Sequence, residues 1–320
     1  MGVSLQAVDA ERWNGLFDRV ARVLELAERA LAEAVGAPPE QALFDRFHAF
    51  RWEVRRERGR LVPIEQWHRF DLADLIGVER AVARLVANTE QFLVGHPANH
   101  VLLYGERGTG KSSAVKGLLT RYGDRGLRIV EVQKSDLLHL PDVVVALRDS
   151  PHRFLLFCDD LSFDLGEKSF RELKAALEGS LAAPPANVRI VATSNRRHLL
   201  PERVEDNREA RLDEHGDLHM GETVDEKLAL SDRFGLMIGF YPFDQATYLS
   251  IVEYYARKAG LPAENAQLRE EALRWALQRA SRSGRTAKQF VDDFAGRAAL
   301  AEPERPSELG ERDPKRGHRG

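Results

Sequence analysis

Eight consecutive residues carry the strongest chemical signal in the chain. Residues 105–112 are Gly-Glu-Arg-Gly-Thr-Gly-Lys-Ser and fit the pattern G-x-x-x-x-G-K-[ST]. Glycines let the backbone curl until its N–H groups face phosphate oxygens, and the helix that follows adds its positive N-terminal end. In this pattern Lys111 bridges the β- and γ-phosphates, and the Ser112 hydroxyl binds Mg²⁺. We therefore expect ATP or GTP to bind through Gly105, Glu106, Arg107, Gly108, Thr109, Gly110, Lys111, Ser112 and Ser113.

A pair of carboxylates further along the chain forms a second candidate site. Residues 154–158 are an apolar run that ends in Asp159 and Asp160. A carboxylate at a strand end beside a phosphate loop holds Mg²⁺ through its water shell, so Asp159 joins Ser112 as a candidate metal residue. Asp160 lies where a carboxylate orients or deprotonates the attacking water. The alternative is a polar loop after a buried strand. We interpret Cys158 as a small buried hydrophobic residue rather than a reactive thiol.

Alternating strands and helices have to position these residues. Short apolar runs predict strands over 99–104, 127–132, 154–158, 188–193 and 236–241, and helical patterns lie over 111–122, 135–148, 168–179 and within 199–232. This alternation is typical of an α/β fold with a parallel sheet between helices. From residue 243 only helices are predicted, over 244–259, 268–280 and 285–301. We therefore expect a nucleotide-binding α/β domain over 66–242 and a small all-helical domain over 243–301.

Residues 1–65 are predicted to be a helical prefix. Apolar residues at three- and four-residue spacing mark one face of a helix over 10–35, which Gly36 and a proline pair end. A second helix is predicted from Leu43, Phe47, Phe50 and Val54. The other side of this helix carries an arginine cluster, made up of Arg51, Arg55, Arg56, Arg58 and Arg60. We interpret the cluster as a solvated face, with a phosphate-contacting patch as the alternative. Residues 302–320 have the composition of a disordered tail.

Three further segments give the chain a family resemblance. Residues 191–195 end a strand in a polar residue, residues 230–234 place an arginine before the last strand, and residues 283–288 open a helix. With the two sites above, they resemble the AAA+ ATPases over about residues 71–300. The strings GERGTGKSS, FCDDLSF, ATSNRRHL, LSDRFGL and SGRTAKQF are similar to those of a bacterial AAA+ family known only as a domain of unknown function (DUF 815).

The resemblance implies roles for single residues. Asn195 matches sensor 1, which helps to position the hydrolytic water, and Arg233 matches the arginine finger that enters a neighbouring subunit's site. Arg285 matches sensor 2, which reports the γ-phosphate to the helical lid. Residues 74–78, with Ile76 and Gly77, match the segment that packs near the adenine. A phosphoryl-transfer transition state needs cations on several sides, which suits Lys111 and both arginines.

Each of these roles has an alternative. Asn195 also suits a strand-end cap, Arg233 a surface ion pair with Asp232 or Asp225, and Arg285 a solvated position on a helix. If the alignment slips, the substitutes are Arg196, Arg197 and Lys288. Asp160 departs from the glutamate of most AAA+ ATPases, so we expect hydrolysis to be slow or to depend on subunit packing. The resemblance also implies a homo-oligomeric ring, with a hexamer as one option.

The overall composition excludes a few classes of protein. Forty-seven basic and fifty acidic residues give a net charge of −3, which offers no whole-chain argument for nucleic-acid binding. One cysteine fits a reducing compartment. No apolar run approaches the roughly 18 residues of a membrane span, and the first residues lack a signal-peptide pattern. We therefore expect a cytoplasmic protein without a membrane partner.

Three hypotheses remain open for the role of the protein and its macromolecular partner. The first is a motor that remodels a protein or protein–DNA complex, and the second is a slow switch or scaffold that recruits an unknown protein partner. A third and weaker hypothesis is DNA binding through the N-terminal arginines. Residues 134–152 contain no Phe, Trp, Tyr or Gly, which disfavours threading of a polypeptide. In the acidic segment 201–230, His215 and His219 are interpreted as solvated rather than as metal ligands.

Overall fold

The computed structural model of the chain describes residues 19–20, 22–24, 41–55, 58–163, 168–178, 185–196, 211–212, 218–219, 233–262 and 266–301. The predicted disordered tail, residue His215 and most of the predicted helices over 10–35 and 199–232 lie outside these residues. Of the first helix, residues 19–20 and 22–24 are described and are helical. No described helix is long and apolar enough to cross a membrane.

Seven of the nine described strands form one sheet. The strands are Ala49–Arg55 (β1), Arg58–Pro63 (β2), Val101–Gly105 (β3), Leu127–Glu131 (β4), Arg153–Cys158 (β5), Val188–Ser194 (β6), Arg211–Leu212 (β7), Leu218–His219 (β8) and Leu236–Phe240 (β9). The order in the sheet is β2-β1-β4-β5-β6-β3-β9. All neighbours are parallel except β1 and β2. The prediction of an α/β fold with a parallel sheet is confirmed. The short strands β7 and β8 pair with each other.

Five helices accompany the sheet in the first part of the chain. They are Gln41–Arg46 (α1), Glu79–Leu93 (α2), Lys111–Tyr122 (α3), Leu140–Leu147 (α4) and Lys168–Glu178 (α5), with a 3₁₀ segment over Lys134–His139. Helix α2 is not among the predicted elements. Side chains of the parallel strands alternate between the two faces of the sheet. On one face, Leu102 and Leu156 share a buried cluster with Leu140 and Val143 of α4 and Leu173 of α5.

The prediction of a second N-terminal helix is wrong beyond residue 46. Strands β1 and β2 pair antiparallel as the β1–β2 hairpin, and β1 pairs with β4, so residues 49–55 and 58–63 extend the sheet rather than a helical prefix over 1–65. Phe50 and Trp52 are buried, while Arg51 between them is more exposed, as strand alternation requires. Trp52 packs across the hairpin onto Gly59, where an added Cβ would overlap the indole ring. Two of the clustered arginines form ion pairs, Arg51 with Glu131 and Arg60 with Glu53.

The chain divides into two compact units, 1–242 and 243–320. The second unit contains the helices Gln245–Lys258 (α6), Ala266–Gln278 (α7) and Gly284–Ala301 (α8). Helix α6 begins at Asp244, whose carboxylate accepts the N–H of Thr247 at 2.7 Å and caps the helix. The buried Tyr248 of α6 donates its hydroxyl to the Ala272 carbonyl of α7 at 3.1 Å. The predicted helices of this region are therefore present, with ends shifted by one or two residues.

Candidate active site

The loop between β3 and α3 is shaped by three glycines in left-handed conformations. Gly105, Gly108 and Gly110 have φ angles of 133°, 78° and 105°, which residues with a Cβ rarely adopt. At Gly105 an added Cβ would overlap the carbonyl oxygen of Phe240 on the neighbouring strand β9. The Thr109 hydroxyl donates to the Glu106 carbonyl at 2.8 Å and ties the loop to itself. The backbone therefore curls as a phosphate-binding loop requires, and Ser113 follows it on the first turn of α3.

The Lys111 ammonium folds back over this loop. Its Nζ donates to the carbonyls of Gly105 at 2.8 Å and Glu106 at 2.7 Å. It also donates to Oδ1 of Asn195 at 3.2 Å, and the lysine is 7% exposed. The side chain is thus held at the mouth of the loop, in reach of two neighbouring strand ends.

Asp159 connects the loop to strands β5 and β6. The Ser112 hydroxyl donates to Oδ1 of Asp159 at 2.6 Å, and the Thr193 hydroxyl donates to the same oxygen at 2.5 Å. Ser112 and Asp159 both carry oxygen atoms that can act as metal ligands, and Asp159 is exposed at the end of its strand. Mg²⁺ in nucleotide sites takes one or two carboxylates together with phosphate oxygens and waters. The pair fits Mg²⁺ in that role, although the described residues contain no cluster of three or more His, Cys, Asp or Glu that would hold a metal alone.

Asp160 adopts an unusual backbone conformation at the same edge. Its φ of 51° lies in the left-handed region, where aspartate is tolerated better than most residues. The Thr193 hydroxyl accepts the backbone N–H of Asp160 at 2.8 Å. The Asn195 amide donates to Oδ1 of Asp160, and the Arg107 guanidinium lies 3.8 Å from Oδ2. These contacts aim the carboxylate toward the phosphate loop.

Thr193 is a site residue that the sequence reasoning did not single out. Its hydroxyl joins Asp159 and Asp160, and the side chain is 1% exposed. The β5–β6 register, in which Cys158 is opposite Ala192, brings Thr193 level with the two carboxylates. No local motif signals this role, because it depends on which strands are neighbours.

Cys158 is buried in β5 directly before the two carboxylates. Burial, with a smaller effect of Asp159, raises the pKa of its thiol to about 12. A thiol with so high a pKa is protonated at neutral pH and is a poor nucleophile. The interpretation of Cys158 as a small hydrophobic residue agrees with this environment.

The segment expected near the adenine packs against the phosphate loop. Leu75 is buried, and an added Cβ at Gly110 would lie 2.5 Å from its Cδ2. Gly77 has a φ of 82° and donates its N–H to the Glu79 carboxylate at 2.7 Å. Ile76, between them, is half-buried. These contacts hold residues 75–77 beside the loop.

Arg233, the candidate arginine of the first unit, lies apart from this cluster. Arg233 precedes β9, and β3 runs parallel to β9 with Val101 opposite Leu236 and Gly105 opposite Phe240. Arg233 is therefore at the strand-start edge of the sheet, about one strand length or roughly 16 Å from the loop. Arg285 is exposed on the first turn of α8 in the second unit. Arg196 is exposed directly after Asn195, and Arg197 lies outside the described residues.

The parallel sheet, the phosphate loop and the helical second unit are the parts of an AAA+ P-loop fold. Residues 45–298 match the family model described as "Protein of unknown function (DUF815)". The chain belongs to this family. None of the curated proteins compared with the chain matches it.

Two solved structures illustrate the likeness of fold. ORC1 of Aeropyrum pernix, solved in complex with DNA, is 15% identical with a TM-score of 0.51, and the match covers 72% of this chain and 62% of that chain. RuvB of Thermotoga maritima, a Holliday junction branch migration motor, is 17% identical with a TM-score of 0.48, and the match covers 72% of this chain. The chain spans 65% of the length of that RuvB chain.

Proposed function

We propose that the protein binds ATP at the 105–112 loop and hydrolyses it as part of a homo-oligomer. The observation that carries the proposal is the convergence of Lys111, Ser112, Asp159, Asp160 and Asn195 in one hydrogen-bonded network at the carboxyl edge of the sheet. Ligands of open α/β sheets bind outside the carboxyl ends of the strands. The five side chains there have the charge and donor types that phosphoryl transfer needs.

Each residue of the network has a defined part in binding. The loop N–H groups and the Lys111 ammonium bind the phosphates, since Lys111 already contacts oxygen acceptors at the mouth of the loop. Ser112 and Asp159 would hold Mg²⁺, which neutralises charge on the phosphate oxygens. Residues 75–77 offer an apolar surface beside Gly110 for the base.

Asp160 and Asn195 activate and position the hydrolytic water. The Asp160 carboxylate takes a proton from the water at an oxygen that faces the loop, and the Asn195 amide fixes that carboxylate. Aspartate is one methylene shorter than the glutamate of most AAA+ ATPases, so the water has to approach more closely. We expect a slow rate of hydrolysis for this reason.

Arg233 supports an oligomer because of its distance from the loop of its own chain. A side chain at the strand-start edge does not reach a γ-phosphate at the opposite edge of its own sheet, so the role of a finger would place Arg233 at a neighbouring subunit's site. Head-to-tail contacts of this kind close into rings. Arg285 would add a further cation from the helical unit of the chain.

The proposed substrate is a protein or protein–DNA complex that the oligomer remodels. Residues Lys134–His139 form a 3₁₀ segment and are followed by α4, without an aromatic residue to grip a threaded chain. DNA binding through the arginine cluster is less favoured, because Arg51 and Arg60 are engaged by glutamates. We place the activity in the cytoplasm, in agreement with the single buried cysteine.

A nucleotide-dependent switch is the second candidate function, and a specific observation favours it. Lys111 and Asp160 both have protein partners across the site, which a bound nucleotide would have to displace. A protein of this kind binds ATP, turns over slowly and recruits partners. The two functions differ in whether hydrolysis requires a second subunit.

Mixing two inactive variants separates them. Lys111→Ala removes phosphate binding and leaves Arg233 intact, whereas Arg233→Ala removes the finger and leaves the loop intact. Under the motor hypothesis each variant alone is inactive, and an equal mixture regains about a quarter of wild-type ATPase activity, the share of sites whose neighbours complement each other in a ring. If Arg233→Ala alone retains wild-type activity at every protein concentration, the finger and the motor hypothesis are refuted.

A further inference from the structure

Arg107 is a residue of the phosphate loop whose side chain reaches across the site to Asp160. It is the third residue of the loop, and its side chain is 75% exposed. A guanidinium nitrogen of Arg107 lies 3.8 Å from Oδ2 of Asp160, while Oδ1 of the same carboxylate accepts the Asn195 amide. The Asp160 carboxylate thus has one partner directly after β6 and one on the phosphate loop.

The position of this ion pair coincides with the expected position of the terminal phosphate. Lys111 and Ser112 mark the loop side of the phosphates, and Asp160 marks the opposite side, where the water is activated. A γ-phosphate has to lie between these two sides. The Arg107 guanidinium approaches Asp160 from the loop, so a bound triphosphate would compete with the Asp160 carboxylate for it.

The chemistry of the competitors decides which of them Arg107 prefers. An ion pair between exposed side chains is weakened by water and by salt. A terminal phosphate offers more negative charge and two oxygens that match the planar guanidinium fork. ADP ends at the β-phosphate, which the loop N–H groups and Lys111 bind, and leaves Arg107 with Asp160.

We propose that Arg107 discriminates ATP from ADP by exchanging the Asp160 carboxylate for the γ-phosphate. The exchange frees one oxygen of Asp160 for the water, while Asn195 keeps the carboxylate in place. Asp160 therefore becomes available as a base only when a triphosphate is bound. This inference rests on the proposed function, because it assigns nucleotide discrimination to the same site.

The test measures binding rather than hydrolysis. Dissociation constants for ATPγS and for ADP, both with Mg²⁺, are determined by calorimetry for the full chain and for five variants. Arg107→Gln removes the charge, Arg107→Lys keeps it, and Asp160→Asn removes the competing carboxylate. The remaining two are the double variant Arg107→Gln/Asp160→Asn and the control Arg148→Gln. Arg148 is exposed before β5 begins, so the control changes net charge at the other end of that strand.

We expect Arg107→Gln to weaken ATPγS binding about tenfold, the effect of one lost charge-assisted contact, with ADP binding nearly unchanged. Arg107→Lys should retain part of the preference, and Arg148→Gln all of it. Asp160→Asn should strengthen ATPγS binding, and the double variant should lose that gain.

Two results overturn the inference while the proposed function stands. One is an equal loss of ATPγS and ADP affinity in Arg107→Gln, which indicates a distorted loop. The other is an unchanged ratio of the two affinities in every variant. Thermal unfolding of each variant identifies any that fail to fold, and Arg107→Lys then carries the comparison. If the wild-type chain binds neither nucleotide, the proposed function fails and the inference fails with it.

Discussion

Replacement of Thr193 by valine tests whether the hydroxyl between the two aspartates organises the site. Valine has nearly the same shape, so the buried position stays filled and only the hydrogen bonds are lost. The hydroxyl donates to Asp159 at 2.5 Å and accepts the Asp160 N–H at 2.8 Å. After the change, the Asp159 carboxylate loses a donor, and the backbone N–H of Asp160, the residue in the left-handed conformation, loses its acceptor.

The structure sets the size of the effect on stability. A hydrogen bond to a charged group contributes about 1.5–3 kcal/mol, and an unsatisfied buried N–H costs about 1–3 kcal/mol. Asp159 is exposed, so water replaces part of the first contribution. We therefore expect a loss of about 2 kcal/mol, which lowers the melting temperature of a unit this large by about 4–8 °C.

The effect on hydrolysis should be larger than this stability loss implies. The same hydroxyl positions the proposed metal ligand and the proposed base, and small displacements of reacting groups cost up to about a hundredfold in rate. We expect a fall in kcat of about ten- to a hundredfold at a temperature where the variant is folded. Steady-state kinetics and thermal unfolding on the same preparation separate the two effects.

Ser194→Ala is the matched control, because it removes a buried hydroxyl from the adjacent residue. The Ser194 hydroxyl donates to the Leu161 carbonyl at 2.7 Å and accepts the Arg196 N–H at 3.1 Å, and it touches neither aspartate. It should lose comparable stability and keep most of kcat. Equal losses of kcat in the two variants, or full activity in Thr193→Val, would refute the assignment of Thr193 as a positioning residue.

Two further predictions concern the backbone and the pH. Gly105→Ala should abolish nucleotide binding and lower the melting temperature, because its Cβ overlaps the Phe240 carbonyl and φ is 133°; circular dichroism with ATPγS titration checks this. Burial, and secondarily Arg189, lowers the pKa of His100 to about 4, and its Nδ1 accepts the Ile190 N–H at 2.9 Å. The unfolded chain takes up this proton near its ordinary pKa, so stability is lost as the pH falls from about 6.5 toward 4, by about 3 kcal/mol in total. Urea unfolding near pH 5 and near pH 7.5 should show a weaker pH dependence in His100→Gln than in the wild type.

The β1–β2 hairpin shows why the prediction of a helix through Phe50 and Val54 was wrong. Two spacings of apolar residues are present there, and only the helical one was considered. Spacing from Leu43 through Phe50 to Val54 predicted a helix, yet residues 50–55 also alternate strictly between apolar and charged side chains. The shorter period is the one the structure follows, because Phe50 and Trp52 enter the core of the sheet. Helix α2 was missed for a different reason. Its buried residues Ala81, Leu85, Asn88, Thr89 and Phe92 recur at helical spacing, but two of the five are polar, so apolar spacing alone marks only part of this face.

The site divides into a part that sequence predicts and a part that it does not. The phosphate loop is local, so spacing and a preceding strand suffice to find it. Asp159 and Asp160 were found because they follow an apolar run, and Asn195 was found because its segment resembles sensor 1 of the AAA+ ATPases. Their mutual contacts were not predictable, since they depend on β6 lying between β5 and β3. Thr193 belongs to this second part, and so does the reach of Arg107 to Asp160.

The connected network bears on the choice between a motor and a switch. Thr193 joins Asp159 to Asp160, and Asn195 joins Asp160 to Lys111, so a phosphate that displaces one contact disturbs the others. The asparagine follows β6 directly, which gives the network a path into the sheet. Under the Arg107 proposal, binding of a triphosphate frees an oxygen of Asp160 to act as a base. It also changes the contacts that connect the site to β6, and both changes come before any hydrolysis. Slow turnover is then compatible with either function, and the dependence on a neighbour's Arg233, rather than the rate itself, distinguishes them.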